Sequence, residues 1–255
     1  MENVFETREL TFTTPSGNTV TIREQNGADD DILSNPVEAT NLMNLSRFLA
    51  GIILKSSYKQ GRLTVEEVHN LPVLDRYCII FNSRIFSLGE EVEFIQDWGP
   101  NGGQVAYTQD LREFLFDYSQ KPTEEELQAK PNAIPYYPLG NQFKDIEFQT
   151  ESGKELKFDL LNANGEAWIA NLPLEKQTKN VIYMARNLCL KVNGIYEKVN
   201  SFSVFSMRDM RDINKFIHSV DPIFSGNTDI ENPVTGQVSQ INILGVKDFF
   251  FLGGI

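Results

Sequence analysis

The same ordered set of local signals occurs twice in this chain, over residues 10–103 and again over 146–236, displaced by roughly 135 positions, a period long enough for a whole small domain. Each copy opens with an alternating run around a Ser-Gly turn, from Leu10 to Ile22 around Ser16-Gly17 and from Ile146 to Phe158 around Ser152-Gly153. Each continues with an apolar helix pattern and a second helix. Each then closes in a strand-flanked turn, Gly99-Pro100-Asn101-Gly102-Gly103 and Asn232-Pro233-Val234-Thr235-Gly236. Matched landmarks in matched order predict an α+β fold of two similar halves, an internal duplication. Each half would be a β-hairpin plus helices and a knuckle-like β-turn. The expected boundaries are a first half over residues 1–120, a Pro-rich linker over 121–145 and a second half over 146–255. The alternative is two unrelated α+β segments that share common turn chemistry.

Local signals place the elements. Alternation predicts strands at about 10–14 and 18–24. Asn35-Pro36 reads as an N-cap and first helical residue, and Leu42, Leu45, Leu49, Ile52 and Ile53 then share one helical face. Thr64 with Glu67, and Thr123 with Glu126, make capping boxes. A further helix is expected from Pro72 to Leu88, with Gly89 as its left-handed stop. Strands at Val92–Ile95 and Gln104–Thr108 flank the first knuckle turn. In the linker, Pro122, Pro131, Pro135 and Pro138 interrupt regular structure, while Tyr136-Tyr137 would pack it onto a domain. In the second half, Pro173 is expected to start a helix reaching about Val192, ended by Asn193-Gly194, and Ser206 to cap a helix through about Ser219. Asp75, Arg76 and Arg84 in the first half are echoed by Asp209 and Arg211. They read as a solvated face, with an ionic seam between the halves as the alternative.

Composition excludes several function classes. The chain carries 23 Lys and Arg against 35 Asp and Glu, a net charge of −12. Such a balance disfavours tracking a nucleic-acid backbone or an anionic membrane surface. Cys78 and Cys189 both fall in predicted helices and read as small buried thiols without a disulfide, which suits a reducing compartment. No secretory pattern opens the sequence and no apolar run approaches a membrane span, so a cytoplasmic protein is expected. The two histidines, His69 in a predicted surface turn and His218 near a helix C-terminus, lie in different halves and match no zinc-site spacing. There is no nucleophile elbow and no phosphate loop, since Gly99–Gly103 lacks the required Lys and Ser or Thr. No catalytic, cofactor-binding or metal-binding residue is expected. The competing enzyme reading is a hydrolase using the carboxylates of Asp29, Asp30 and Asp31.

Three segments, in this order, carry a family likeness. They are Thr21–Ser34 with its Asp-Asp-Ile-Leu helix start, Leu71–Arg76 continuing through Arg84–Gly89, and Asp248-Phe249-Phe250-Phe251. Together they resemble the T-even-type base plate protein family of contractile-tailed phages, a group of tail assembly chaperones and hub-associated proteins. The resemblance implies a non-enzymatic protein that binds other tail or baseplate hub proteins. It would act in the host cytoplasm during assembly, with the virion tail as a second location and the oligomeric state open. An adaptor unrelated to phage is the alternative within the binding class. Relatives place C-P-x-C-G knuckles at the two turns, where paired thiolates suit structural zinc. Here those positions hold Gly99 and Gly102, then Asn232 and Thr235, while Pro100, Gly103, Pro233 and Gly236 keep the turn, so no zinc is expected. A once-shared metal site would bring residues 99–103 close to 232–236. Aromatic anchors favour interfaces, which makes Tyr136, Tyr137, Phe249, Phe250 and Phe251 the candidate partner-binding residues.

Overall fold

In the computed structural model, which describes residues 8–137, 139–246 and 249–250, the chain begins with β1 (Glu9–Thr13) and β2 (Thr19–Arg23). They pair antiparallel from Glu9↔Arg23 to Thr13↔Thr19. Alternation buries Val20 and Ile22 on one face. The turn is closed by Thr14 N–H to the Asn18 carbonyl at 2.7 Å and Gly17 N–H to the Thr14 carbonyl at 2.8 Å. Gly17 sits at φ +87°, a conformation that favours glycine. Three helices follow, α1 (Gly27–Leu33), α2 (Pro36–Ala39) and α3 (Met43–Ile52). β3 (Ile53–Ser56) then returns to pair with β2, completing a sheet of order β1-β2-β3.

The first half ends with α4 (Val65–His69), α5 (Val73–Leu88) and a hairpin of β4 (Glu91–Asp97) and β5 (Gln104–Asp110). A 3-10 turn, Leu111–Phe114, closes it. Helix α6 (Glu124–Ala129) interrupts the segment leading to the second half. There β6 (Ile146–Gln149) and β7 (Glu155–Phe158) form the opening hairpin, followed by α7 (Ala163–Ala170) and α8 (Lys179–Ala185). β8 (Cys189–Val192) and β9 (Ile195–Lys198) extend that hairpin to a sheet of order β6-β7-β8-β9. Helix α9 (Met207–Val220), the hairpin of β10 (Asn227–Glu231) and β11 (Val238–Asn242), and a 3-10 turn at Ile243–Gly245 complete the order. The molecule is α+β, and each half opens with a hairpin and closes with a hairpin and a 3-10 turn. Between them, helices lead to one returning strand and two further helices in the first half, and to two strands and one long helix in the second.

One apolar cluster runs through both halves. Helix α5 lies at its centre. The Phe81 ring meets Phe114 at 5.3 Å, Phe224 at 5.9 Å and Phe249 at 5.3 Å, so three distant segments converge on one turn of that helix. The halves are also joined through the backbone, by Val73 N–H to the Leu161 carbonyl at 2.8 Å. Residues 133–137 and 139–143 are not a loose linker but a strap. Ile134 N–H binds the Phe114 carbonyl at 2.9 Å, Tyr137 N–H the Pro15 carbonyl at 3.1 Å and Gly140 N–H the Ser16 carbonyl at 2.9 Å.

Several sequence expectations are corrected. The helix read through Leu42 and Ile53 is two helices, because Leu42 takes a left-handed conformation at φ +60° and starts a new helix, while Ile53 already belongs to β3. The stretch from Pro173 to Val192 is not one helix. It is a 3-10 turn, α8 and β8, and Asn193-Gly194, at φ +50° and +84°, turns the β8-β9 hairpin. Cys189 is therefore in a strand. Gly89 ends α5 at φ +90° and ψ 169°, outside the left-handed helical region. Asp75, Arg76 and Arg84 form no solvated face: all three are buried, since α5 is covered all round. His69 is buried rather than at the surface. Tyr137 and Phe249 are fully packed in the core, and Tyr136 and Phe250 pack partly against it, so none is a free interface anchor. Pro138, Asp248 and Phe251 lie outside the described residues.

Candidate functional site

The two knuckle turns meet. β4 and β5 pair over Glu91↔Asp110 to Asp97↔Gln104, and β10 and β11 over Asn227↔Asn242 to Glu231↔Val238. Each hairpin turns one face inward. The burial pattern sets Val92, Phe94, Val105 and Tyr107 on the inner face of the first and Ile230 and Ile241 on that of the second. Phe94 and Tyr107 stack at 5.7 Å. The Tyr107 hydroxyl donates to the Glu231 carbonyl at 2.9 Å and accepts Trp98 Nε1–H at 3.1 Å. Nearer the hairpin bases, Thr228 Oγ1 donates to Gln109 Oε1 at 2.8 Å.

At the tip the link is a single amide. Asn232, fully buried, donates from Nδ2 to the Gly102 carbonyl at 3.0 Å. Its Oδ1 accepts Val234 N–H at 2.8 Å and Thr235 N–H at 2.9 Å. Gly102 is required here by space, because a Cβ would stand 2.5 Å from Trp98 Cβ and 2.7 Å from Asn232 Nδ2. Gly99, Gly103 and Gly236 supply φ of +75°, +64° and +68°, while Pro100, Pro233 and Thr235 are exposed on the turns. Counted from the last ladder pair of each hairpin, Trp98 and not Gly99 holds the loop position equivalent to Asn232, one residue out of the register that matches their prolines. Zinc does not fit this donor set, since glycine backbone, an amide and a threonine supply no thiolate or imidazole. Among the described residues no cluster of His, Cys, Asp or Glu could hold a metal.

Two further clusters bear on chemistry. Ser16 Oγ donates to Asp75 Oδ2 at 2.6 Å and Ser16 N–H to Oδ1 at 3.1 Å, joined by the hydroxyls of Tyr58 at 2.7 Å and Tyr137 at 3.0 Å. Among the described residues no cation partners this carboxylate, and burial pushes its pKa up despite the donors. Burial and the neighbouring Asp75 push both tyrosines well up. In the second half Ser152 Oγ donates to Asp209 Oδ1 at 2.5 Å, and Lys154 Nζ to Oδ2 at 2.7 Å. The Lys154 ammonium, then Ser152, holds Asp209 well below the usual carboxylate range. Asp75 and Asp209 each occupy the third position of their helix.

The second cluster looks superficially catalytic. Asn164 Nδ2 faces Asn70 Oδ1 at 3.4 Å, so its oxygen faces His69 Nε2 at 3.0 Å. His69 Nδ1 lies 2.7 Å from Ser46 Oγ, and the same hydroxyl has the Leu42 carbonyl as an acceptor at 3.0 Å. Ser46, however, is fully buried and its oxygen receives Arg76 Nη1–H at 2.8 Å. No substrate reaches it in this arrangement. Burial first, then Arg76, lowers the His69 pKa, and burial lowers Arg76 itself to about 10. Beside them the Tyr77 hydroxyl donates to Glu166, whose carboxyl is raised by burial. These contacts join α4 and α5 to α7 across the halves through neutral and charge-assisted hydrogen bonds, while Arg76 itself bonds to Ser46 and the Val68 carbonyl within the first half.

The carboxylates of the competing hydrolase reading do not converge. Asp29 is buried, held by Arg23 Nη1 at 2.7 Å and Nη2 at 2.8 Å, and accepts Asn26 N–H at 2.8 Å in a capping box. Asp30 and Asp31 face solvent. His218 is exposed in the last turn of α9. No helix among the described residues is long and apolar enough to cross a membrane.

The chain matches no protein-family model, no curated protein and no solved structure.

The outside of the paired hairpins is one of the surfaces that leave aliphatic side chains exposed. Ile95 is 68% exposed, Val238 61% and Val234 79%. Sequence reasoning passed over Ile95 and Val238, although the alternation of Glu91-Val92-Glu93-Phe94-Ile95-Gln96-Asp97 already sets Ile95 on the polar side of its strand.

Proposed function

We propose that this protein is a non-enzymatic component or assembly chaperone of a contractile phage tail that binds other tail or baseplate hub proteins. The carrying observation is the junction of the two turns, with Asn232 Nδ2 donating to the Gly102 carbonyl at 3.0 Å. The family resemblance places paired knuckles at these turns, and a hydrogen-bonded amide occupies the point where relatives would place a shared metal. The junction supports the reading in a second way. It fixes two short hairpins into one rigid projection with exposed aliphatic side chains, the kind of preorganised surface that binding requires. The buried polar groups described above are occupied by internal partners, which suits structural roles.

The test is quantitative mass spectrometry on purified particles and on the matching infected-cell lysate. A fixed ratio to a baseplate subunit in particles identifies a structural component. Abundance in the lysate, absence from particles and co-purification with a tail protein identify a chaperone. Presence in neither setting with any tail protein overturns the reading.

A further inference from the structure

The four strands of the paired hairpins and their turns, residues 91–110 and 227–242, contain no Lys or Arg. They carry Glu91, Glu93, Asp97, Asp110, Asp229 and Glu231. Elsewhere several exposed carboxylates have a cation beside them, as in Glu38 with Arg47, Glu67 with Lys59 and Glu155 with Lys191, while others, such as Glu124 and Glu125, stand without an exposed aliphatic side chain between them on a strand face. Among the described residues, Glu93, Asp97, Asp229 and Glu231 have no ion-pair partner. Cross-strand pairing sets Glu93 beside Thr108, Ile95 beside Ala106 and Asp97 beside Gln104 on one outward face. An exposed aliphatic side chain therefore stands between two unpaired carboxylates on the same face, each two residues away along the strand and thus about 7 Å distant. The second hairpin repeats the motif with Glu231 directly opposite Val238.

Among the described residues no third strand pairs with either hairpin. Exposed strand edges are ordinarily protected by lysine, proline or bulges. Here the strands carry only acidic charge, which repels another copy of the same acidic edge but attracts a basic one.

We propose that the outer face of the β4-β5 hairpin, centred on Ile95, docks an extended segment of another protein in which basic and aliphatic residues alternate at every second position, so that both point to the same side. Its aliphatic side chains would cover Ile95 and Ala106, and its ammonium or guanidinium groups would meet Glu93 and Asp97. The segment adds as a strand or lies across the face. Charge complementarity speeds encounter and selects the partner, while the aliphatic contact holds it. This inference rests on the binding role proposed above and names the surface and the partner's chemistry.

The experiment uses the full chain and two synthetic strand peptides, one with Lys and Ile in turn at every second position and Thr between them, the other with Glu in place of Lys. Affinity is measured by calorimetry at low and moderate salt, and the footprint by amide hydrogen exchange. The expected result is binding of the Lys peptide alone, weakened by salt, with slowed exchange in β4 and β5. Glu93→Lys with Asp97→Lys, and separately Ile95→Ser, should each weaken it by about tenfold or more. Glu124→Lys with Glu125→Lys, on the exposed acidic turn of α6, should leave it unchanged. Equal binding of both peptides, protection elsewhere on the chain, or equal weakening by the α6 variant would overturn the proposal. All the substituted side chains are exposed, so the variants retain the fold. Failure of the tail assignment would appear in the particle measurement and would leave this binding result intact.

Discussion

The hydroxyl of Ser16 donates to the carboxylate of Asp75 at 2.6 Å, and the hydroxyl of Ser152, at the same place in the second hairpin turn, donates to Asp209 at 2.5 Å. Both turns close alike, with Gly17 and Gly153 each at φ +87°. In each half this bond pins the opening hairpin to the first turn of the longest helix. The environments then diverge. Asp75 faces neutral hydroxyls and one backbone amide, beneath the Tyr137 strap. Asp209 has a lysine and completes a capping box with Ser206.

Removing Asp75 should be severe. Asp75→Ala leaves Ser16 N–H and three hydroxyls facing a buried void. Each unpaired buried donor costs about 1–3 kcal/mol, and partial re-pairing among the hydroxyls brings the expected loss to about 3–5 kcal/mol. Urea denaturation measures it. A loss below about 1 kcal/mol would show that the cluster does not anchor the hairpin.

The two aspartates should show opposite pH dependence. The Asp75 pKa is raised by burial, so the folded chain holds its proton to higher pH than the unfolded chain. Stability from this group is therefore lost as pH rises from about 4 toward neutrality. The advantage of the native chain over Asp75→Asn should shrink over that range. The Asp209 pKa is depressed, so its contribution is present above about 4 and is lost on acidification. The advantage over Asp209→Asn should shrink between pH 5 and pH 3. Urea midpoints across pH decide it, and slopes of the same sign would contradict the assignment.

Arg186 and Asp221 form a buried ion pair, Nε to Oδ2 at 2.6 Å, and Asp221 also accepts Leu161 N–H at 3.0 Å. Asp221→Ala strands a buried guanidinium and should destabilise by about 3–5 kcal/mol. Arg186→Met combined with Asp221→Leu should recover most of that loss, leaving about 1 kcal/mol for the orphaned Leu161 amide. A double variant as unstable as Asp221→Ala would refute the account.

Asn232→Ala removes the only direct hydrogen bond described between the two knuckle loops, together with the partners of Val234 and Thr235 N–H. Amide exchange should accelerate in residues 98–103 and 232–237 together, with a stability loss of about 1–3 kcal/mol. Gly102→Ala should do the same by forcing Asn232 away. Faster exchange confined to 232–237 would mean that the loops are not coupled through this amide.

Local chemistry was legible where it acts over a few residues. The capping boxes at Thr64-Glu67 and Thr123-Glu126, the Asn35-Pro36 helix start, the Ser206 cap and the alternating hairpins all stand as read, because their partners lie within one turn or one strand pair. The Asn193-Gly194 dipeptide was misread, because a turn suited to the end of a helix also suits a two-residue hairpin, and only pairing of β8 with β7 distinguishes them.

The sequence by itself determined the α+β class, the opening and closing hairpins of each half and the turns within them, since these follow from periodicity and from glycine, proline and capping residues, whereas strands β3, β8 and β9 emerged only in the structure. The tertiary structure alone decided which charges are buried. Asp75 and Asp209 look alike in sequence, yet one meets tyrosines from distant segments and the other a lysine. It likewise decided that Tyr137 and Phe249 fill the core while Ile95 stands in solvent. An aromatic or aliphatic side chain carries the same transfer free energy wherever it sits in the sequence, and what covers it is set by segments brought from far along the chain.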